Sequence, residues 1–510
     1  MPFLRRSPVL PALLGSLLAV PLAVAVPSAH ADARCAHMNR VRVPGAVHQV
    51  AACLDDLTTA GTVASGHTDK SDWEGLHSAA TRNPSGVPGI QIDGYFRDDS
   101  SFNTTHGWNH DSQFVIRLPK RWNGGLVVSG APGTRRQYAN DFTISDWVLS
   151  KGYAFASTDK GSNGNQFYRD GKRPGDAVAE WYRRMIQVTV AAKATVARHY
   201  GRRLTRTYAA GISNGGQMVR WALENRPELY DGGVDSEGTY WPRDNGNNAL
   251  VYLPEALRNY PAYAATGDPK AHAAMLKAGF APGSEFLWDF NYRFIWDNTQ
   301  RIYREEVDPT YDGDLEAGIP YCESGTPNCD TDYRYYSRPR SVHRTVARLG
   351  MTGRIGKPMI TVQGTLDTLL PIKVHGDAYA RKVRAQGRGG LHRYYRIEGA
   401  SHLDLEYDLF PGRMRPLLPC MRTAFEALER WVGPAAVRRP RPVPPSRARP
   451  PATWSTPAPS ADRSAGERAR RAAGIRWPVR VRGPAGRGRP PALPPVAGTP
   501  VRPARRPRRG

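Results

Sequence analysis

Hydrophobic and polar positions follow two different rhythms along this chain. Short apolar runs, typical of buried strands, alternate with stretches in which apolar residues recur every three or four positions, as in helices. The predicted strands are residues 114–116, 125–128, 153–156, 205–210, 232–234, 358–362 and 392–397, and the predicted helices are 176–200, 217–223, 374–386 and 420–432. This alternation predicts an α/β fold, in which a mainly parallel sheet carries helices on both faces.

Interruptions of the rhythm divide the chain into six segments. Between residues 238 and 349 a long aromatic and acidic stretch replaces it, and we expect a cap, or lid, above the carboxyl ends of the strands, where α/β sheets bind ligands. The predicted segments are a signal peptide at 1–31, a β-rich N-terminal region at 32–112 with a hairpin-like passage near 89–97, the two parts of the core at 113–237 and 350–436, the cap at 238–349, and a tail at 437–510.

The first 31 residues have the pattern of a secretory signal. Two arginines precede an apolar stretch at residues 9–26, and Ala29-His30-Ala31 is a small-residue cleavage site. No later run reaches the roughly 18 apolar residues that a membrane span needs. We therefore expect a secreted protein.

The five cysteines fit an oxidising compartment without forming a disulfide scaffold. Local spacing suggests the pairs Cys35–Cys53 and Cys322–Cys329. Cys420 is left over, and we expect it to be buried and inert.

Charge is distributed unevenly. The formal net charge is +25, but residues 437–510 alone contain 19 arginines and two acids, a net +17, so the remaining chain carries +8. The tail also holds 17 of the 44 prolines and neither Phe nor Tyr, so it cannot bury enough apolar area to offset its ordering entropy, and we expect it to be disordered. It is either a solvated extension or a weak electrostatic tether to an anionic surface. The mildly basic body gives no reason to expect a nucleic-acid partner.

The most informative motif is Gly211-Ile212-Ser213-Asn214-Gly215, which lies between a predicted strand and a predicted helix. Gly-x-Ser-x-Gly at such a turn is the nucleophile elbow of α/β-hydrolases, in which a sharp turn exposes the serine hydroxyl at the top of the sheet. The sequence therefore predicts the α/β-hydrolase fold with Ser213 as the nucleophile. The amide of Asn214 is then directed at the developing oxyanion.

A serine nucleophile needs a base and an acid that orients the base. In this fold the acid and then the histidine follow the serine along the chain, on loops after late strands. Asp367 follows the strand at 358–362, and His402 follows the strand at 392–397. Ser213, Asp367 and His402 are therefore the predicted catalytic residues.

Three other residues compete for the roles of acid and base. Asp235, at the end of the strand at 232–234, is the main alternative acid, but the topology favours Asp367. His375 and His392 are weaker alternatives for the base, because one lies in a predicted helix and the other at the start of a strand.

The second oxyanion donor is expected in the loop after an early strand, at residues 129–134. Pro132 has no amide hydrogen, so the expected donor is Ala131 or Gly133. The choice between the two stays open.

Residues 110–240 resemble a known family of secreted esterases. The motifs that carry the resemblance are Ile212-Ser213-Asn214-Gly215-Gly216, Ala131-Pro132-Gly133 followed by Arg135 and Arg136, and Thr158-Asp159-Lys160-Gly161. Together they resemble the D-(−)-3-hydroxybutyrate oligomer hydrolases and, more distantly, the tannase and feruloyl esterase group, and residues 355–405 also fit. The resemblance implies that Ser213 cleaves short hydroxyalkanoate esters. It gives Asp159 and Lys160 no chemical role, and we expect a structural ion pair there.

One departure separates the chain from the tannase branch of this resemblance. Those enzymes typically have cysteines immediately before the catalytic serine and histidine, joined as a disulfide. Here the two positions are Ile212 and Ser401. Galloyl or feruloyl specificity is therefore not carried over.

No cofactor or metal is predicted. Residues 308–314 contain three carboxylates, but their spacing is not that of an EF-hand loop. A turn with solvated acids is the preferred interpretation.

The sequence thus predicts a secreted serine ester hydrolase that acts on small or oligomeric esters through an acyl-enzyme. Three alternatives remain: a feruloyl esterase or tannase-like aryl esterase, a serine peptidase on the same fold, and a non-catalytic protein that binds surfaces through its basic tail.

Overall fold

The structure is a computed structural model, and it describes Cys35 and residues 38–99, 106–162, 164–310 and 333–433. The predicted signal peptide, the pair Cys322–Cys329 and the basic tail lie outside the described residues. Within those residues, no helix is long and apolar enough to cross a membrane.

The described residues form one nine-stranded sheet with the strand order β1-β2-β3-β5-β4-β6-β7-β8-β9. The six strands from β4 to β9 are parallel to one another, whereas β1, β2 and β3 pair antiparallel and β3 is also antiparallel to β5. The strands are β1 (Ala46–Leu54), β2 (Gly89–Phe96), β3 (Ser112–Pro119), β4 (Gly125–Gly130), β5 (Ala154–Thr158), β6 (Arg206–Ile212), β7 (Gly232–Ser236), β8 (Met359–Gly364) and β9 (His392–Ile397).

The N-terminal region contributes to this sheet. The hairpin predicted near residues 89–97 is wrong: Gly89–Phe96 is a single strand that pairs with β1 on one side and with β3 on the other. Its side chains are mostly buried, because the strand has a neighbour on each side and lies inside the sheet. The predicted disulfide Cys35–Cys53 is confirmed, and it ties the start of the described chain to β1. Cys420 is a free thiol that is only partly buried, not fully as expected.

Helices cover both faces of the sheet. The face formed by residues such as Leu126 and Val128 packs against α3 and α4, and the opposite face, which includes Val127, packs against α2 and α12. The helices are α1 (Thr59–Ala64), α2 (Asp146–Ser150), α3 (Asp176–Tyr200), α4 (Asn214–Asn225), α5 (Ala249–Thr266), α6 (Pro269–Ala278), α7 (Trp288–Phe294), α8 (Trp296–Val307), α9 (Arg340–Leu349), α10 (Gly376–Ala385), α11 (Asp404–Leu409) and α12 (Leu418–Val432). This two-layered burial agrees with the period-2 alternation of strand side chains.

The long helix α3 has the bounds that the sequence pattern predicts. It ends at Gly201, whose φ of +64° is the left-handed conformation that terminates many helices. The periodic residues Val178, Met185, Val188 and Ala192 are buried against the sheet. Burial of this apolar face, more than intrinsic propensity, stabilises the helix.

The stretch at 238–349 folds in its described part into helices α5 to α9 and packs on the loops that follow the parallel strands. The indole N–H of Trp296 donates to the carbonyl of Thr368 at 2.8 Å, and the hydroxyl of Tyr252 donates to the carbonyl of Leu369 at 2.8 Å. Both acceptors lie in the loop after β8. The insertion therefore covers the carboxyl edge of the sheet, and we propose that it acts as a cap.

Asp308 is not one of the solvated acids expected in this stretch. Its side chain is fully buried and forms an ion pair with Arg338 at 2.5 Å. Tyr333 also donates to it, at 2.9 Å. The other two carboxylates of the acidic turn lie outside the described residues.

Candidate active site

Ser213 lies at the sharp turn between β6 and α4, with φ of +57° and ψ of −119°. A left-handed φ is unfavourable for a residue with a side chain, and it persists only where the surroundings enforce it. A Cβ atom on Gly211 would come within 2.3 Å of the Gly215 backbone, and one on Gly215 would come within 2.6 Å of the Gly130 carbonyl oxygen. Both glycines of the motif are therefore required by close approach of backbone to backbone.

His402 connects the serine to an acid. Its Nε2 lies 3.1 Å from Ser213 Oγ, and its Nδ1 lies 2.9 Å from Asp367 Oδ2. The parallel register of β8 and β9 brings the loops of Asp367 and His402 to the same edge of the sheet as the elbow. The three side chains thus form a continuous hydrogen-bonded chain, as a base and its orienting acid require.

The carboxylate of Asp367 is held by four donors. The backbone amides of Leu369 and Leu370 donate to Oδ1 at 3.0 and 2.7 Å, and the side chain of Gln363 donates to Oδ2 at 3.0 Å beside His402. Burial alone would lower the pKa of His402, but the charge of Asp367 and its hydrogen bond raise it, and the pKa lies above the ordinary value of 6.5. This environment stabilises the imidazolium that would form when His402 accepts a proton.

The alternative acid and bases are engaged elsewhere. Asp235 is buried in an ion pair with Arg220 at 2.6 Å and also accepts from Thr361. His375 accepts from the amide of Tyr240 at Nδ1, and its Nε2 lies 2.9 Å from the hydroxyl of Tyr252. His392 contacts Thr361, and burial lowers its pKa to about 3. The structure brings none of the three to Ser213.

The two candidates for the second oxyanion donor differ in their surroundings. The amide of Ala131 donates to the carbonyl of Thr158 at 3.0 Å, so it continues the pairing of β4 with β5 and is not available to a ligand. Gly133 has a left-handed φ of +51° and is exposed in the loop. Asn214 is the first residue of α4, so its amide has no acceptor within the helix. Of the two loop candidates, Ala131 is therefore excluded as the donor, and Gly133 remains beside Asn214.

Glu237, which the sequence analysis did not single out, lies beside the same histidine. It follows β7 directly, is fully buried, and places Oε2 3.7 Å from His402 Nδ1. The sequence feature that could have identified Glu237 is an acidic residue followed by glycine directly after a strand. Alternation along β7 cannot predict where the Glu237 side chain points, because the φ of +51° at Glu237 breaks the extended conformation where the strand ends.

Asp159 and Lys160 follow β5 and are both buried, beside the loop at residues 129–134 in which the second oxyanion donor is expected. Asp159 accepts from the amides of Gln113 and Gly161, and burial raises its pKa to about 6. Burial lowers the pKa of Lys160 to about 8, while the charge of Asp159 opposes that shift. The ammonium lies 5.4 Å from the ring centroid of Trp181 and 3.5 Å from the carbonyl of Arg135. The expected ion pair is therefore not formed as a direct contact: the charge of Asp159 acts on Lys160, but the ammonium contacts an aromatic ring and a backbone carbonyl.

Tyr303 of the insertion contacts Asn214, the residue after Ser213, from within a cluster of aromatic side chains. The hydroxyl of Tyr303 donates to Asn214 Oδ1 at 2.9 Å. The ring of Tyr303 packs edge-on against Phe167, Trp181 and Trp241, with centroid distances of 5.7, 6.4 and 5.4 Å. Helix α8 is therefore joined to the elbow by a buried hydrogen bond within an apolar surface.

Two groups of side chains in the described part of the chain have a spacing that a metal ion would accept. Ligand atoms of Glu237, Asp367 and His402 lie within 4.8 Å of one another, as do those of Asp98, Asp170 and Glu180. In the first group the imidazole is already hydrogen-bonded at both nitrogens. In the second, Arg184 lies 3.0 Å from Asp98 and 2.5 Å from Glu180, so a guanidinium supplies the positive charge. Neither arrangement requires a metal.

The strand order, the strained serine after β6, and the succession of serine, aspartate and histidine along the chain define the α/β-hydrolase fold class. Residues 102–238 match the sequence model of the family described as tannase and feruloyl esterase. The matched segment contains the turn at residues 211–215 and the loop at residues 129–134.

One curated relative matches over a similar length. Mono(2-hydroxyethyl) terephthalate hydrolase from Piscinibacter sakaiensis is 32% identical over 139 residues, which are 25% of this chain and 23% of that protein. The match therefore spans about a quarter of the relative's length.

Solved esterase structures resemble a larger part of the chain. Feruloyl esterase B from Aspergillus oryzae is 13% identical with a TM-score of 0.46, over 79% of this chain and 90% of that one. Tannin acyl hydrolase from Aspergillus niger is also 13% identical, with a TM-score of 0.41, over 76% of this chain and 83% of that one.

Proposed function

We propose that this protein is a carboxylic ester hydrolase with Ser213, His402 and Asp367 as its catalytic residues. The observation that carries the proposal is the single imidazole that lies 3.1 Å from the strained Ser213 and 2.9 Å from a buried aspartate. The match of residues 102–238 to tannase and feruloyl esterase supports ester hydrolysis as the reaction class.

In the proposed mechanism His402 Nε2 removes the proton from Ser213 Oγ as the oxygen attacks the ester carbonyl. Asp367 holds the proton on Nδ1 and stabilises the imidazolium. The amides of Asn214 and Gly133 stabilise the tetrahedral oxyanion. The imidazolium then gives its proton to the departing alcohol, which leaves Ser213 acylated. Water, deprotonated by His402, releases the acid and restores the free serine.

Two substrate classes are proposed for comparison. The motifs around Ser213 resemble hydroxybutyrate oligomer hydrolases, whereas the family match supports an aryl ester of the feruloyl type. Ile212 and Ser401 occupy the positions at which tannases have their cysteine clamp, which favours the first class. Parallel measurement of kcat/KM on hydroxybutyrate oligomers, feruloyl esters, simple acyl esters and peptides separates these classes and the peptidase alternative.

Replacement of Ser213 by Ala tests the mechanism directly. We expect turnover of a short-chain aryl ester to fall by at least about 10³-fold, because the residual rate would come from binding and the oxyanion donors alone. Labelling by a fluorophosphonate probe should be lost as well.

Ser157→Ala is the matched control. Ser157 is buried and lies in β5, and its hydroxyl has no hydrogen-bond partner among the described residues. Its loss should leave turnover and labelling intact. Wild-type rates in the Ser213→Ala protein would show that the proposed mechanism is wrong.

We also propose that the protein is exported. The disulfide Cys35–Cys53 fits an oxidising compartment, as does the signal pattern at residues 1–31. Expression with the native first 31 residues, followed by N-terminal sequencing of protein from the medium, should find Asp32 as the first residue. Retention of the full-length chain inside the cells would contradict export.

A further inference from the structure

Glu237 is held in an unfavourable conformation at the edge of the sheet that carries Ser213. Its φ is +51°, although it is neither Gly nor Asn, and its side chain is fully buried. Strain of this kind costs on the order of 1–3 kcal/mol and persists where the surrounding structure enforces it. The backbone enforces it here, because the amide of Glu237 donates to the carbonyl of Val362 at 2.9 Å.

This conformation directs the carboxyl group toward His402. Oε1 accepts from the amide of Gly364 at 3.2 Å. Oε2 is buried without a hydrogen-bond partner among the described residues and lies 3.7 Å from His402 Nδ1. The same nitrogen is 2.9 Å from Asp367 Oδ2. Two carboxyl groups therefore face one imidazole N–H, and the second is just outside hydrogen-bond distance.

The two carboxyl groups are not equivalent. Asp367 receives hydrogen bonds from two backbone amides, from Gln363 and from His402, whereas Glu237 receives one. Two carboxylates this close in a dry site cannot both ionise without a large penalty. Asp367 is therefore the better place for the charge, and Glu237 is the better place for a proton.

Other charged groups reinforce this assignment. Burial raises the pKa of Glu237 well above its ordinary value, and the charges of Asp367, Asp404 and Glu406 raise it further. Asp404 accepts from the amides of Leu417 and Leu418, and Glu406 accepts from Asn291. On the β7 side, Asp235 is already neutralised by Arg220. Among these neighbours, His402 is therefore the one group whose positive charge could compensate an ionised Glu237.

We propose that Glu237 is a positioning residue for His402: a protonated second acid that takes over the Nδ1 hydrogen bond when the carboxylate of Asp367 is absent. The inference rests on the proposed function of Ser213, His402 and Asp367. A rotation of the Glu237 side chain that moves Oε2 by less than about 1 Å brings this atom to the usual hydrogen-bond distance from His402 Nδ1, roughly 2.8 Å.

The test compares Asp367→Ala with the double variant Asp367→Ala, Glu237→Gln. In the single variant a protonated Glu237 can accept from Nδ1 but carries no charge to stabilise the imidazolium, so kcat/KM should rise with pH above neutrality as Glu237 ionises. In the double variant this rise should disappear, and the rate at pH 9 should be lower by at least about tenfold, since removal of the orienting acid typically costs up to about 10⁴-fold. Equal rates and equal pH profiles for the two proteins would overturn the inference.

Glu406→Gln in the Asp367→Ala background is the matched control. It removes another buried carboxyl group of the site, one that binds Asn291 instead of facing Nδ1. This control should keep the rise with pH. Ser213→Ala, measured in the same series, separates the two proposals. Wild-type rates in Ser213→Ala would reject the proposed function. If Ser213→Ala is inactive but Asp367→Ala and the double variant have equal pH profiles, only the role of Glu237 is rejected.

A measurement with Asp367 intact does not depend on the folding of the Asp367→Ala variant. An acid whose pKa is raised in the folded state loses stabilising free energy as pH rises from its unfolded pKa to its folded pKa. Glu237→Gln removes this loss because Gln cannot ionise. The melting temperature of Glu237→Gln relative to wild type should therefore increase between pH 4.5 and pH 8. A difference that is constant over this range would show that Glu237 is not the protonated acid, and would overturn the inference.

Discussion

Two residues that face His402 have strained backbone. Ser213 and Glu237 each follow a parallel strand, and both have a left-handed φ despite carrying a side chain. The amide of Ser213 donates to the carbonyl of Ser236 at 2.9 Å, so the turn after β6 is fixed to the end of β7. The Ser213 side chain thereby faces Nε2 of His402, and the Glu237 side chain faces Nδ1. At this scale the chemistry depends on torsion angles that the sheet imposes.

The pKa of His402 leads to a prediction for the wild-type protein. Asp367 raises that pKa above 6.5, and the base must be neutral to accept the serine proton. The rate should therefore increase as pH rises, and kcat/KM should reach half its plateau at a pH above 6.5. A pH–rate profile on a substrate without ionisable groups checks this, and a midpoint at or below 6.5 would contradict the assigned environment of His402.

Among the elements, helix α8 connects the insertion to the catalytic turn through Tyr303. Its hydroxyl holds the Asn214 side chain, which also donates to Gln217 and Thr239 at 3.1 and 3.3 Å. Asn214 provides the amide that we assign to the oxyanion. The first turn of α4 is thus supported from two places in the insertion, by Tyr303 in α8 and by Thr239 near its start.

Tyr303→Phe removes this support while preserving the ring. We expect kcat/KM to fall about threefold to tenfold, mainly in kcat, because one buried neutral hydrogen bond contributes about 0.5–1.5 kcal/mol. Tyr260→Phe is the matched control, since Tyr260 donates to Asp289 within the insertion and does not reach the elbow. Similar losses of activity in both variants would show that Tyr303 acts only through general stability.

How far the sequence predicts these elements depends on where their hydrogen bonds go. The strand β9 and the helix α3 have the predicted bounds, since local apolar periodicity specifies them. The role of β2 as an inner strand was missed, because pairing with β1 and β3 is non-local. At the site, Asp367 and His402 follow from topology. Glu237 does not, because its direction depends on a φ that composition and spacing leave undetermined.

The whole molecule combines a mildly basic body with a strongly basic end. Residues 437–510 carry a net charge of +17, against +8 for the rest of the chain. The described body ends with α12 and Gly433, which pack on the face of the sheet opposite α3. Since none of the three proposed catalytic side chains belongs to the last segment, we expect charge and catalysis to be separable along the chain.

A chain that ends at residue 436 tests this separation. Because 19 arginines act through long-range attraction that salt screens, the full-length protein should bind an anionic polymer at low ionic strength and release it near 1 M salt. The shortened chain should lose this binding and keep its kcat/KM on a neutral ester. Replacing the five arginines among residues 501–510 with Gln should lower the salt concentration of release without abolishing binding. If the full-length and shortened proteins bind the anionic polymer equally well, the affinity lies in the body of the protein and not in the tail.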